Sequence, residues 1–220
     1  MRGCIATLLL GALAVTAQQN QAQLPADPGR AIQLSREVAS RSLQTLSKLV
    51  TESNFRSMGF QSLAEVRAAS LGEPIVSFFV QLDELRQYKP EADPLSLLKG
   101  GDLVLYPIEV NQQPRSIVEV TRQPNAWAAS GFGGAQFSRL LHRFRAQKAA
   151  ETRQPVSSFF ELRVPALRAH FLGVRSGSEL MLVPLVDDPK GRWRAGASIP
   201  ARQVFAQLVA DAVEYNGLPM

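Results

Sequence analysis

Polar and apolar positions change rhythm several times along the chain. From Arg30 onward, Ile32, Ala39, Leu43, Leu46 and Val50 recur at helical spacing with charged or hydroxyl residues between them, which predicts an amphipathic helix over about 30–51. Ser62-Leu63-Ala64-Glu65 then has the spacing of a capping box, in which the serine hydroxyl takes an orphan amide and the glutamate reaches back. A short second helix should run from there to about Ser70 and end at Gly72-Glu73-Pro74. These two helices define a helical segment over 30–73.

Beyond it the rhythm shortens and phrases recur. PIVSFFVQLDELR begins at Pro74 and PVSSFFELRVPALR at Pro155. Each is an apolar, strand-like run (75–82 and 156–164) leading into a residue that starts a helical turn, Asp83 as a cap in one and Pro165 as an early helical position in the other. Each turn closes on Leu-Arg. LVLYPI at 103–108 is matched by LMLVPL at 180–185, and Trp127-Ala128-Ala129 by Trp193-Arg194-Ala195. Each series ends in a helical pattern, Phe137, Leu140, Leu141 and Phe144 in the first and Val204, Phe205, Leu208, Val209 and Ala212 in the second. Four matched elements in one order indicate duplication. The second copy is shorter, with no counterpart for the strand Ser116–Val120. The expected fold is α/β (α+β): the helical segment followed by two related β-β-β-α units, 74–150 and 151–220, with helices packed on twisted sheets.

The amino terminus changes the compartment rather than the fold. Arg2, the apolar run CIATLLLGALAV and the small residues before position 18 make an export signal over 1–17, too short an apolar run to span a bilayer. The polar, proline-punctuated residues 18–29 read as a disordered tether. Cys4, the single cysteine of 220 residues, lies inside the signal. The mature chain is therefore expected to lack disulfides, thiol chemistry and cysteine-ligated zinc, and to fold on its hydrophobic content of 45%. A periplasmic or secreted location follows, with no transmembrane segment once the signal is cleaved. The formal net charge of +5 is mild, and with an export signal and no basic run it argues for an anionic envelope component or a polypeptide partner rather than nucleic acid.

Candidate chemistry is sparse. Consecutive aromatics on a strand point to opposite faces, so Phe78, Phe79, Phe159 and Phe160 are all core only if both faces are covered. If one face is open they form an apolar surface for an extended peptide. Arg139, Arg143 and Arg145, with Lys148 and Arg153 beyond, form the densest basic face, suited to anionic head groups or an acidic protein or simply to water. His142 and His170 are the only histidines. Ser138 lies one helical turn before His142, but no orienting carboxylate or oxyanion hole is signposted. Asp187-Asp188-Pro189 reads as a turn, with cation binding or a His/Asp pair as the alternative. Gly131-Phe132-Gly133-Gly134 before a helix is a weak anion cradle, more simply a glycine turn. No cofactor and no metal site is expected.

The order LVLYPIEV, SIVEV, WAASGFGG, AQFSRLLHRF, SSFFELRVPALRAHFL, together with Val80-Gln81-Leu82-Asp83-Glu84-Leu85-Arg86-Gln87-Tyr88, resembles over about 74–215 the repeat of the periplasmic chaperone family related to the translocon of the inner chloroplast envelope. The resemblance implies a duplicated α/β fold and polypeptide handling in the envelope, and brings no catalytic residues. The expected function is that of an exported, non-enzymatic, chaperone-like binding protein. The alternatives are a secreted hydrolase using His142 or His170 with Asp187 or Asp188, and a structural assembly subunit.

Overall fold

The computed structural model describes residues 24–217; the export signal, Cys4 and the tether before Leu24 lie outside them. Helix α1 (Pro28–Leu49) begins inside the stretch read as tether. Asp27 caps it by accepting from the Gly29 amide at 2.9 Å, with Pro28 in the first turn, where its missing N–H costs nothing. Helix α2 (Leu63–Arg67) starts as the capping pattern predicts, Ser62 Oγ accepting from the Glu65 amide at 3.3 Å. The Glu65 carboxylate reaches one residue further back than expected, to the Gln61 amide at 2.7 Å. The helix stops at Arg67, and strand β1 (Ser70–Leu71) takes the place of its expected last turn.

Strand β2 (Ile75–Val80) leads into helix α3 (Leu82–Arg86), whose cap is Gln81 rather than Asp83. Asp83 sits in the first turn, where acids complement the helix dipole, and pairs with Arg86 at 2.8 Å. Three long antiparallel strands follow, β3 (Leu98–Val110), β4 (Gln113–Arg122) and β5 (Trp127–Gly133), and then helix α4 (Ala135–Thr152). The remainder is β6 (Phe160–Val164), β7 (Ala169–Ser176), β8 (Glu179–Pro184), β9 (Ile199–Pro200) and helix α5 (Ala201–Glu214). Pro165 opens a single 3-10 turn between β6 and β7.

Among the described residues the nine strands belong to one sheet, in the order β5-β4-β3-β2-β6-β7-β8-β9 with β1 beside β3. Every pairing is antiparallel except the central one, β2 with β6. A single sheet therefore crosses the boundary between the two units read from sequence. Both faces are covered. On one, Leu141 and Phe144 of α4 pack with Ile75, Leu105, Ile117, Leu172 and Val183. On the other, α1 and α5 bring Ala39, Leu46, Val204 and Phe205 against Phe78, Tyr106, Phe160 and Leu182. Strand alternation explains the split, since neighbours such as Phe171 and Leu172 must serve opposite faces. The Tyr106 hydroxyl ties α1 to the sheet, meeting Ser35 Oγ at 2.8 Å and the Ile32 carbonyl at 3.0 Å.

The echoed phrases are out of step in this sheet. Phe78 faces Leu162, and Ser77 faces Glu161, whereas the phrases align Phe78 with Phe159. LVLYPI lies in β3, next to the central pair, and LMLVPL in β8, one strand further from it. Trp127 begins β5, but Trp193 stands in the connection between β8 and β9. Among the described residues no helix is long and apolar enough to cross a membrane.

Candidate functional site

The sheet end where β7 begins and β8 finishes carries a cleft of about 430 Å³. Leu167 and Phe171 line one side, Trp193 and Val186 the β8–β9 connection, and Leu208 the α5 side. Phe171 and Trp193 meet edge to face with ring centroids 5.7 Å apart. Val186, at 54% exposure, is among the few large apolar side chains left in water.

The connection that forms this wall is held by charge. At Asp188-Pro189-Lys190-Gly191 the chain turns, the Gly191 amide donating to the Asp188 carbonyl at 2.9 Å. Gly191 has φ +75°, a conformation side chains resist. Arg192 then folds back on Asp188, Nε to Oδ2 at 2.9 Å and Nη2 to Oδ1 at 2.8 Å. The same guanidinium reaches Asp211 of α5 at 2.6 Å and the Gln207 carbonyl at 2.9 Å, and stacks 4.7 Å above the Trp193 ring. Lys190 takes the other Asp211 oxygen at 2.7 Å. The hydrogen bonds from Arg192 hold the Asp188 carboxyl below the usual carboxylate range, against the opposing pull of burial. Asp187 is likewise lowered, chiefly by the Ala195 amide that donates to it at 2.8 Å. Both aspartates serve the turn. Among the described residues no group of three or more His, Cys, Asp or Glu side chains is placed to hold a metal ion.

His170 lines the same cleft as Asp187 and Asp188, but the carboxylate it meets belongs to neither. Its Nδ1 lies 3.0 Å from Glu161 Oε1, and the Ser77 hydroxyl donates to the other oxygen of Glu161. The glutamate is buried at 2% side-chain exposure while the imidazole is 41% exposed. The order is serine, glutamate, histidine, with the carboxylate in the middle. Ser77 is buried and meets the carboxylate rather than the imidazole, so it lacks the serine–imidazole contact of a hydrolase triad and access for a substrate. The Phe137 ring of α4 packs against His170, centroids 5.3 Å apart.

His142 is half-buried beside a second cavity of about 430 Å³, lined also by Glu73, Glu109 and Arg145. Ser138, buried, donates to the Ser116 carbonyl at 3.1 Å rather than to His142. Arg139 and Arg143 are exposed, the latter 4.5 Å above the Phe144 ring. Arg145 is not on that surface. It lies inside at 5% exposure, donating to the carbonyls of Val156, Glu73 and Pro74 at 2.7, 2.8 and 3.0 Å. Burial lowers its pKa to about 10. Phe78, Phe159 and Phe160 are buried and Phe79 half-buried, so the first three present no surface to a partner.

Ser77, Glu161, Arg192 and Asp211 escaped sequence reasoning. The available signal was a lone polar residue inside an apolar strand, Ser77 in IVSFFV and Glu161 in FELRV, at positions that prove to be sheet partners. The result is a mixed α/β protein with an apolar end-of-sheet cleft. A scan against protein-family models finds no match, and neither does comparison with curated proteins or with solved structures.

Proposed function

We propose that this is an exported, non-enzymatic binding protein of the bacterial envelope, chaperone-like in that its cleft takes an apolar segment of a polypeptide. The observation that carries this reading is the cleft itself. Leu167, Val186 and Pro189 give it accessible apolar surface above a floor of buried Phe171, Trp193 and Leu208, and Arg192, Lys190, Asp188 and Asp211 pair with one another, while Arg168, Asp187 and His170 also line it. A site with accessible apolar lining whose neighbouring charges are mostly paired selects apolar side chains. The hydrogen bonds and ion pairs of Arg192 tie the connection that lines the cleft to α5, which lowers the ordering cost of binding.

The hydrolase alternative loses support from the same geometry: Ser138 bonds a carbonyl, Ser77 is buried without an imidazole partner and Asp188 is tied to Arg192. A self-assembling subunit predicts one large apolar patch, whereas the exposed large apolar side chains Leu34, Leu49, Val156, Val186 and Val213 are spread over α1, the α4–β6 link, the cleft mouth and α5. Descent of the two halves from one unit is supported by the order of elements outward from the β2–β6 pair, a helix following the outermost strand on each side. The resemblance to the envelope chaperone family points the same way.

The test is suppression of aggregation. Chemically denatured citrate synthase is diluted into buffer with the mature chain or with its Val186→Asp variant, which changes the exposed mouth of the cleft and not the core. The wild type is expected to slow light scattering in proportion to its concentration, and the folded variant to protect several-fold less. Equal protection by both, or none by either, overturns the proposal.

A further inference from the structure

Among the described residues, every charged side chain lining the end-of-sheet cleft but one has a partner. Arg192 is held by Asp188 and Asp211, Lys190 by Asp211 and Glu214 at 2.7 and 3.7 Å, and Asp187 by the Ala195 amide and by Arg194 at 3.4 Å. Arg168 lines the same cleft and is exposed, and its guanidinium enters no hydrogen bond or ion pair among the described residues. Its backbone is fixed. It closes the 3-10 turn between β6 and β7, its amide donating to the Pro165 carbonyl at 3.1 Å, and Val164 pairs with Ala169 across that turn. At φ +51° it occupies the left-handed region, which glycine and asparagine adopt more readily, so the turn alone does not call for arginine. Leu167, its neighbour in the chain, also lines the cleft, which sets an unpaired guanidinium beside accessible apolar surface.

Resting on the apolar-segment reading of this cleft, we propose that Arg168 selects segments whose apolar residues run directly into a carboxylate, as at a polypeptide C-terminus or at an aspartate that ends the apolar run. The apolar residues settle on Leu167, Val186 and Pro189, and the carboxylate takes the Arg168 guanidinium, whose forked N–H donors match its two oxygens. Arg192 and Lys190 have carboxylates of their own and do not compete for it. An uncharged segment still enters the cleft but leaves the Arg168 guanidinium to water.

The test compares three peptides on the mature protein carrying Trp127→Phe, in which Trp193 of the cleft is the sole emitter: acetyl-Ala-Leu-Phe-Leu-Ala with a free terminus, its C-terminal amide, and acetyl-Ala-Leu-Phe-Leu-Asp-amide. The free acid is expected to bind about fivefold more tightly than the amide at low ionic strength, and the advantage should shrink as added salt screens the pair. Adding Arg168→Gln, an exposed change outside the core, should bring the acid down to the affinity of the amide, while Arg168→Lys keeps part of the difference. Once the acid is preferred, the aspartyl peptide names the source: binding like the acid admits side-chain carboxylates, and binding like the amide restricts the site to chain termini. Equal affinity for acid and amide, a comparison that needs no Arg168 variant to fold, overturns the proposal and leaves the apolar-segment reading standing. An acid preference that survives in folded Arg168→Gln also overturns it. Absence of any shift with all three peptides removes the apolar-segment reading and this proposal with it, so the two failures are distinguishable.

Discussion

Arg145 shows how little of a residue's setting its neighbours in sequence convey. It stands among exposed arginines on α4, yet its guanidinium clasps three carbonyls from the turns before β2 and β6. Lysine has one point charge and no fork, so Arg145→Lys is expected to lose about 2–3 kcal/mol in urea unfolding, while Arg143→Lys changes little. Tyr106→Phe removes the hydroxyl that meets Ser35 and Ile32 and should cost about 1 kcal/mol. Asp188 gives a pH signature. Its folded-state pKa is depressed below the unfolded value near ~3.9. Its contribution is therefore complete above that value and is lost as pH falls through the lower, folded one. Unfolding free energies measured down through the acid range should fall less steeply in Asp188→Asn than in the wild type. The Ser77–Glu161–His170 chain was illegible beforehand because three strands bring it together, and only register tells that Ser77 faces Glu161.

Elements were more legible than their partners. Both long helices at the ends of the two series, the second helix's cap and the strands LVLYPIEV, SIVEV and WAASGFG follow from periodicity and turn residues, which are local. What periodicity cannot supply is which face each helix covers. α4 and α5 lie on opposite faces of one sheet, and this is why Phe159 and Phe160 are both buried. A close approach marks the same region: Gly173 lies under the Phe160 ring, where a Cβ would collide with it. Gly173→Ala is expected to destabilise by about 1–3 kcal/mol, checked by thermal unfolding. Residue echoes misled on register for a physical reason, since apolar strand phrases are built from few residue types and match readily at several offsets.

At the scale of the molecule, the parallel β2–β6 pair sits mid-sheet with helices on both faces, while β9 is two residues long at one edge. Amide exchange should therefore be slowest in β2, β6 and β7 and fastest at β9 and α2. The proposed function places its weight at the sheet end, where the ion pairs of Arg192 with Asp188 and Asp211 brace the connection beside the cleft. Trp193 lies in its wall, and Trp127 is the only other tryptophan, so a Trp127→Phe background makes emission report on the cleft alone. The decisive measurement is titration of that protein with acetyl-Ala-Leu-Phe-Leu-Ala-amide, an uncharged apolar peptide. A saturable shift of Trp193 emission, lost in folded Val186→Asp at the exposed cleft mouth, is the predicted result; emission that stays unchanged through the titration, or that shifts equally in the variant, contradicts a polypeptide-binding cleft.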